Sequence, residues 1–305
     1  MYRFSILLVS TLLLAGCKSK ELQDYLPEKL AEGPTLKQQV SGPALRASLA
    51  FDQRATSALD IFKPTKATVG IYHYQGVNIY LLLAEQKSSD HAFGFYRSFS
   101  SQPRKMKKLD DGAWAYKRPY VAAYYKNMNV VLFSNPQNYF AYFTRVAEQI
   151  SAELQAVKKD DGLSYHLLIL PPENKFRNSE FYLPSLSFHG VQLTNVYGAQ
   201  YLIKKNLAHI YVIKDASAGL TQNSFRSIQR AVAKKGYKVK ALPSLAAGPH
   251  QGIYWFNGRS YEIVYPYRWL LLVMTGFSDI DQAQAQIRNM FREMRNIRHL
   301  VKKKN

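Results

Sequence analysis

An internal repeat sets the first limit on how this chain can fold. The segment Gly112-Ala-Trp-Ala-Tyr116-Lys-Arg118-Pro-Tyr120-Val-Ala-Ala-Tyr124 is matched, with one inserted residue, by Gly252-Ile-Tyr-Trp-Phe256-Asn-Gly-Arg259-Ser-Tyr261-Glu-Ile-Val-Tyr265. Upstream, Ile79-Tyr80-Leu-Leu is matched by Ile210-Tyr211-Val-Ile, and Tyr96-Arg97-Ser98-Phe99 by Phe225-Arg226-Ser227-Ile228. The matches keep one order and a nearly constant offset. Whatever the first half builds, the second half is expected to build again.

The local signals say what is repeated. Val77, Ile79, Leu81 and Leu83 alternate with Asn78, Tyr80 and Leu82, the pattern of a strand, and Gln75-Gly76 is placed to close a hairpin before it. Asn257-Gly258 predicts a second hairpin through a type I′ turn, which needs positive φ at both residues. Helices are expected over 90–100 and 221–235, the latter capped by Gly236. Each copy then closes with a strand and a helix. Pro136 opens the first, with Phe140, Phe143, Ala147, Ile150 and Leu154 on one face; Ile280, Ala283, Ile287, Met290, Met294, Ile297 and Val301 make the same stripe in the last. Such stripes also suit a coiled-coil seam, but each spans few heptads and follows a sheet, so they are read as packing onto that sheet. The expected fold class is α+β. Two tandem similar units, each an antiparallel sheet with packed helices, occupy residues 35–155 and 163–305. A charged linker at 156–162 joins them.

The amino terminus has a different grammar. A short basic start, Met1 to Arg3, precedes an almost wholly apolar run from Phe4 to Leu14, which is the pattern of a secretory signal. The run is well short of the roughly 20 residues that cross a hydrocarbon core. It ends in Leu14-Ala15-Gly16-Cys17, which resembles the lipobox of bacterial lipoproteins. That resemblance implies cleavage between Gly16 and Cys17 and a lipid on the Cys17 thiol. Residues 1–16 would then be the signal peptide and 17–34 a tether. Lys18 follows the cysteine instead of an aspartate, a pattern similar to that of lipoproteins sent to the outer membrane.

Cys17 is the only cysteine, so an intramolecular disulfide is excluded although an exported compartment would permit one. Lysine and arginine number 41 against 21 acidic residues, a formal charge of +20. In an exported protein such a charge suits anionic lipid, lipopolysaccharide or wall polymer, or it serves only to solubilise an aromatic-rich body. Nucleic acid is not expected as a partner, since export removes the chain from it and no nucleic-acid-binding signature is present.

Three further motifs, Asp90-His91-Ala92-Phe93-Gly94-Phe95-Tyr96, Leu170-Pro171-Pro172-Glu173 and Tyr197-Gly198-Ala199-Gln200-Tyr201, carry a resemblance to a family of uncharacterised bacterial exported lipoproteins, a domain of unknown function. The resemblance covers most of the mature chain. It implies no established activity, so it carries no catalytic residue over.

Motifs for chemistry are scarce. There is no G-x-S-x-G elbow and no S-x-x-K, and the 7 histidines are scattered without metal-ligand spacing, so no metal or cofactor is expected. Asp90-His91 reads as a carboxylate orienting an imidazole or, together with Ser88 and Ser89, as a helix N-cap. Capping is preferred because chain neighbours do not normally face each other. Asp110-Asp111-Gly112 and Asp160-Asp161-Gly162 lack EF-hand spacing and read as turns. The repeated Arg118 and Arg259, each two residues before Tyr120 and Tyr261, are candidate contacts for a carboxylate, phosphate or sugar, or a repeated part of the fold. The expected function is a lipid-anchored cell-envelope binding or accessory component. An envelope-acting enzyme with a site built from distant residues, or a structural subunit of an envelope complex, remain alternatives.

Overall fold

The computed structural model describes residues 21–30, 33–100, 107–108, 114–117, 120–135, 146, 164–245 and 251–302. The first unit contains strands β1 (Leu36–Ser41), β2 (Lys66–Tyr74), β3 (Val77–Glu85), β4 (Lys107–Lys108), β5 (Trp114–Lys117), β6 (Tyr120–Tyr125) and β7 (Met128–Asn135), with helices α1 (Ala44–Ser48), α2 (Gln53–Phe62) and α3 (Ser89–Ser100). The second begins with a helical turn, α4 (Tyr165–Leu168). It continues through β8 (Phe181–Phe188), β9 (Val191–Ile203), β10 (Asn206–Lys214), α5 (Ala218–Lys234), β11 (Lys240–Leu242), β12 (Gly252–Phe256), β13 (Tyr261–Tyr267) and β14 (Leu270–Phe277) to α6 (Ile280–Lys302).

The two 7-stranded antiparallel sheets have one topology. The orders β1-β2-β3-β7-β6-β5-β4 and β8-β9-β10-β14-β13-β12-β11 map strand for strand, with α3 and α5 as the same crossover. The matches for which both residues are described, outside the turn at Arg259, fall on equivalent elements. Ile79 and Ile210 lie on β3 and β10, Arg97 and Arg226 on α3 and α5, and Tyr124 and Tyr265 on β6 and β13.

Hairpin chemistry explains the strand pairing. Gln75 and Gly76, at φ 48 and 80, form a two-residue turn between the paired Tyr74 and Val77, the geometry of a type I′ connection. The turn at Asn257 departs from expectation. Phe256 pairs with Tyr261 across a longer loop, and only Gly258, not Asn257, has positive φ. Asn257 acts through its side chain, whose Oδ1 accepts from the Arg259 and Ser260 N–H groups at 3.0 and 2.9 Å; such an Asx turn competes well with the αL backbone. Helix α5 ends as expected, with Gly236 at φ 82 and the Tyr237 N–H reaching back to the Val232 carbonyl.

Because strand side chains alternate between faces, each sheet buries both. In the first, Tyr80, Leu82, Val131 and Phe133 face α3, while Ile79, Leu81, Leu83 and Leu132 face away, toward Val146. In the second, Ile213, Val264 and Val273 pack under α5 with Ile228 and Val232; Ile210, Val212, Leu272 and Met274 pack under α6 with Ala283, Ile287, Met290 and Met294. One continuous cluster joins the α3 face of the first sheet to the α6 face of the second. The units therefore stack head to tail.

Part of the segment read as a tether is packed instead. Leu22, Leu26 and Leu30 are buried against Tyr72, Ile79 and Leu81 on the outer face of the first sheet, and the Tyr72 hydroxyl donates to the Pro27 carbonyl at 2.8 Å. A 3-10 turn over Leu22–Tyr25 followed by extended chain carries the three leucines onto the sheet. The signal peptide, Gly16, Cys17, the linker, Arg118, the two Asp-Asp-Gly turns and most of the helix after Pro136 lie outside the described residues.

Candidate functional site

The head-to-tail stack brings two equivalent turns together, the one leading from β3 into α3 and the one leading from β10 into α5. At the first, Ser88 is the cap. Its Oγ accepts the His91 N–H at 3.3 Å, its carbonyl accepts from Ala92, and its hydroxyl lies 3.0 Å from His91 Nδ1. The Ser88–His91 pair has the spacing of a nucleophile and its base, but the serine oxygen is committed to the helix end.

Asp90 is not a cap. Its Oδ2 accepts from the Tyr197 hydroxyl at 2.8 Å, across 107 residues and the boundary between the units. Such close approach requires Gly94 one turn along α3. A Cβ there would stand 2.5 Å from the Tyr182 carbonyl oxygen and 2.4 Å from the Phe62 ring. Glycine thus admits the edge strand β8 against α3. Beyond it, the buried Arg97 guanidinium donates to the Asn178 carbonyl with Glu180 nearby, tying α3 to the chain that enters β8.

Between the two turns lies a cleft of about 270 Å³ lined by Ser88, Asp90, His91, Tyr182, Asn195, Tyr197, Lys214, Asp215 and Ala216. Its aromatic wall is continuous: His91 to Tyr182 at 5.1 Å between ring centres, Tyr182 to Tyr197 at 5.1 Å, and Tyr197 to His166 of α4 at 4.6 Å, nearly parallel at 25°. The Tyr182 hydroxyl donates to Asn195 Oδ1 at 3.1 Å. Asn195 itself has φ 52 within β9, opposite Pro184, which has no N–H to offer the ladder; a left-handed non-glycine residue inside a strand is costly and clusters at functional positions.

The charges around the cleft are muted by burial. Desolvation is the main cause of the lowered pKa of His91, with Lys87 adding to it and Asp90 opposing. It also takes His166 down to about 4, helped by Lys214. Burial first and Asp90 second raise Tyr182 to about 12, and burial with the Asp90 hydrogen bond raises Tyr197 further. Asp215 is raised by burial, partly offset by Thr221. At neutral pH both histidines and both tyrosines are uncharged hydrogen-bonding rings.

A larger open cleft of about 550 Å³ lies in the first unit among Leu22, Leu45, Leu59 and Ala67. Four of its rim charges are engaged in pairs, Arg46 with Asp60 at 2.7 Å and Lys66 with Glu21 at 3.1 Å, and Lys63 stands on the same rim. A second histidine cluster is a clasp. His189 Nε2 donates to Glu262 at 2.6 Å, Asn257 donates to the other carboxylate oxygen at 2.7 Å, and Lys235 donates to His189 Nδ1 at 3.2 Å. Together they bind two hairpin tips to the end of α5.

Of the repeated pairs read from the sequence, the described members Tyr120, Arg259 and Tyr261 line neither cleft. Tyr120 is buried, with its hydroxyl donating to Asp52, the cap of α2, at 2.8 and 2.9 Å. Arg259 sits exposed in the β12–β13 turn, and Tyr261 packs beside Phe256 at 5.3 Å. Among the described residues nothing links Tyr120 to Tyr261. The cleft residues missed in the sequence are Tyr182, Asn195, His166, Lys214 and Asp215. A partial signal existed, because the motifs containing Asp90 and Tyr197 are joined here by a hydrogen bond. Leu170-Pro171-Pro172-Glu173 belongs to the same junction: Tyr201 donates to the Pro171 carbonyl at 3.0 Å, and Glu173 pairs with Arg292 of α6 at 2.6 Å.

Among the described residues no group of three or more His, Cys, Asp or Glu is placed to hold a metal ion, and no helix is long and apolar enough to cross a membrane. Compared with known protein families, with curated proteins and with solved structures, the chain matches none.

Proposed function

We propose that this chain is a lipid-anchored protein of the bacterial cell envelope, held through Cys17 at the outer membrane, that works as a binding or accessory component and uses the junction cleft as its binding surface. The resemblance to exported lipoproteins belongs to the same reading. The observation that carries the binding role is the cleft itself. It gathers side chains of eight polar residues from both units, yet its one serine is a helix cap, and the other serine beside a histidine, Ser164 with its Oγ 3.1 Å from His166 Nδ1, is not among the residues that line it. Polar groups without a reaction centre suit recognition better than turnover.

Anchoring fits the packed amino-terminal segment. At most about 3.6 Å of chain per residue separates Cys17 from the buried Leu22, so an acylated Cys17 holds the body within roughly 2 nm of the headgroups. The exposed Arg288 and Arg295 of α6 belong to the basic excess that favours an anionic surface. Cys17→Ser decides the anchoring claim. Wild-type protein should incorporate labelled palmitate and fractionate with membranes, and the variant should stay an unlipidated precursor. Mature wild-type protein with an unmodified Cys17 thiol by mass spectrometry would overturn the reading.

A further inference from the structure

We infer that the junction cleft binds one hydroxyl-rich ring, a sugar-like ligand, through hydrogen bonds and ring contact and not through ion pairing. The inference rests on the binding role proposed above and names the ligand class for that site.

Size is the first constraint. About 270 Å³ holds a single six-membered ring with its substituents, near the lower end of ligand pockets.

Charge is the second. The whole chain carries +20, which taken alone points to polyanions. The cleft does not share that excess, since its lining has one ammonium, Lys214, against two carboxylates, Asp90 and Asp215. A phosphate there would face two acidic side chains for one base, so the anion affinity expected of the surface stops at this cleft. A quaternary cation would find aromatic faces, but Lys214 stands on the same rim.

Hydrogen-bond supply is the third. The Asn195 amide spends its oxygen on Tyr182, and no acceptor among the described residues takes its N–H groups. Asp215 adds a carboxylate to the lining, held in part by the Thr221 hydroxyl. Tyr182 and Tyr197 donate to Asn195 and Asp90, which leaves their oxygens as acceptors. Amide donors, hydroxyl acceptors and carboxylate acceptors around aromatic rings complement groups that both donate and accept, as sugar hydroxyls do. The left-handed backbone at Asn195 fixes its amide at the mouth.

The test titrates the full mature protein, purified in detergent, with glucose and N-acetylglucosamine, and separately with choline and inorganic phosphate. Histidine and tyrosine NMR signals and calorimetry are the readouts. A sugar should bind at about millimolar strength, as expected of a ligand with some dozen heavy atoms, and 0.5 M salt should leave the affinity unchanged within about twofold. Tyr182→Phe and Asn195→Gly, the latter retaining the left-handed backbone, should each weaken binding about tenfold while the unfolding midpoint is recorded as a control. Binding of choline or phosphate in preference to both sugars would overturn the inference. So would no response to either sugar at 50 mM, or unchanged affinity in both variants. Palmitate labelling and fractionation read the broader proposal on the same protein. A lipid-anchored protein indifferent to sugars refutes only the ligand class, whereas a soluble, unlipidated one refutes the envelope role.

Discussion

Helices α3 and α5 occupy the same place in their units, yet α3 is sandwiched between the sheets and α5 lies on the surface. Of the 12 residues of α3, eight are buried, including Phe93, Phe95, Tyr96, Arg97 and Phe99. Of the 17 in α5, only Thr221, Ile228 and Val232 are. The composition follows the burial. One helix is aromatic nearly all round and holds a glycine at its tightest contact; the other has one apolar stripe and is polar elsewhere, as a single-faced helix must be. A stacked array needs a terminal unit with a polar outer side, and the second unit supplies it through α5. The difference teaches that the repeat specifies the unit, while the sequence of the crossover helix specifies whether another unit follows.

Arg97 and Arg226 give the sharpest test, since the repeat aligns them. Arg97→Ala removes a buried guanidinium from the junction and should cost about 3 kcal/mol in a urea titration. Arg226→Ala, at an exposed site, should change stability by less than about 0.5 kcal/mol. Similar costs would mean that the two helices are not in different environments.

Glycines sharpen the comparison further. Gly94→Ala forces a Cβ to within 2.5 Å of the Tyr182 carbonyl and should destabilise by about 2 kcal/mol. At Gly219 of α5 the nearest atom to an added Cβ is 3.8 Å away, so Gly219→Ala should stabilise by about 0.5 kcal/mol through helix propensity. A neutral Gly94→Ala would break the claim that β8 lies directly on α3.

Protonation at the junction offers a third test. His166 has its folded pKa lowered from 6.5 to about 4 by burial and Lys214, so the folded state disfavours its charged form. Its contribution is fully present above pH 6.5 and is lost as pH falls toward 4. It amounts to about 1–2 kcal/mol once solvent screening is allowed for. His166→Gln should flatten the stability profile between pH 6.5 and 4, and an unchanged slope would remove His166 from the junction's acid sensitivity.

The sheets were legible because their signals are local. Alternation on β3, the turn at Gln75-Gly76, the cap at Gly236 and the stripe of α6 each fit within a short stretch of chain. The repeat then supplied the topology twice. The stacking was not legible in this way, since nothing adjacent to Asp90 reveals that its partner is Tyr197, 107 residues on. For Asp90 the local reading preferred a cap, and Ser88 turned out to fill that role. Arg118 and Arg259 attracted notice by recurring. Arg259 lies in a turn of its own unit, whereas the cleft is built where the units stack, from β8, β9 and the β10–α5 turn of one and the β3–α3 turn of the other.

The seam at the centre of each sheet also bears on the order of events as the chain emerges. β3 pairs with β7 from Asn78↔Asn135 to Glu85↔Met128, and β10 pairs with β14 in the same manner, so each sheet is closed by its last strand. Until residue 135 is available, the hairpin of β2 and β3 and the strands β5 and β6 are separate halves, each with an apolar edge open to any other strand. Joining them requires closing a loop of some 50 residues, which costs a few kcal/mol before any pairing offsets it. A chain halted at β6 therefore exposes two adhesive edges, whereas one halted after β7 has already sealed its first sheet. As the chain emerges from its amino terminus, the interval between those two points is when it most needs protection from its neighbours.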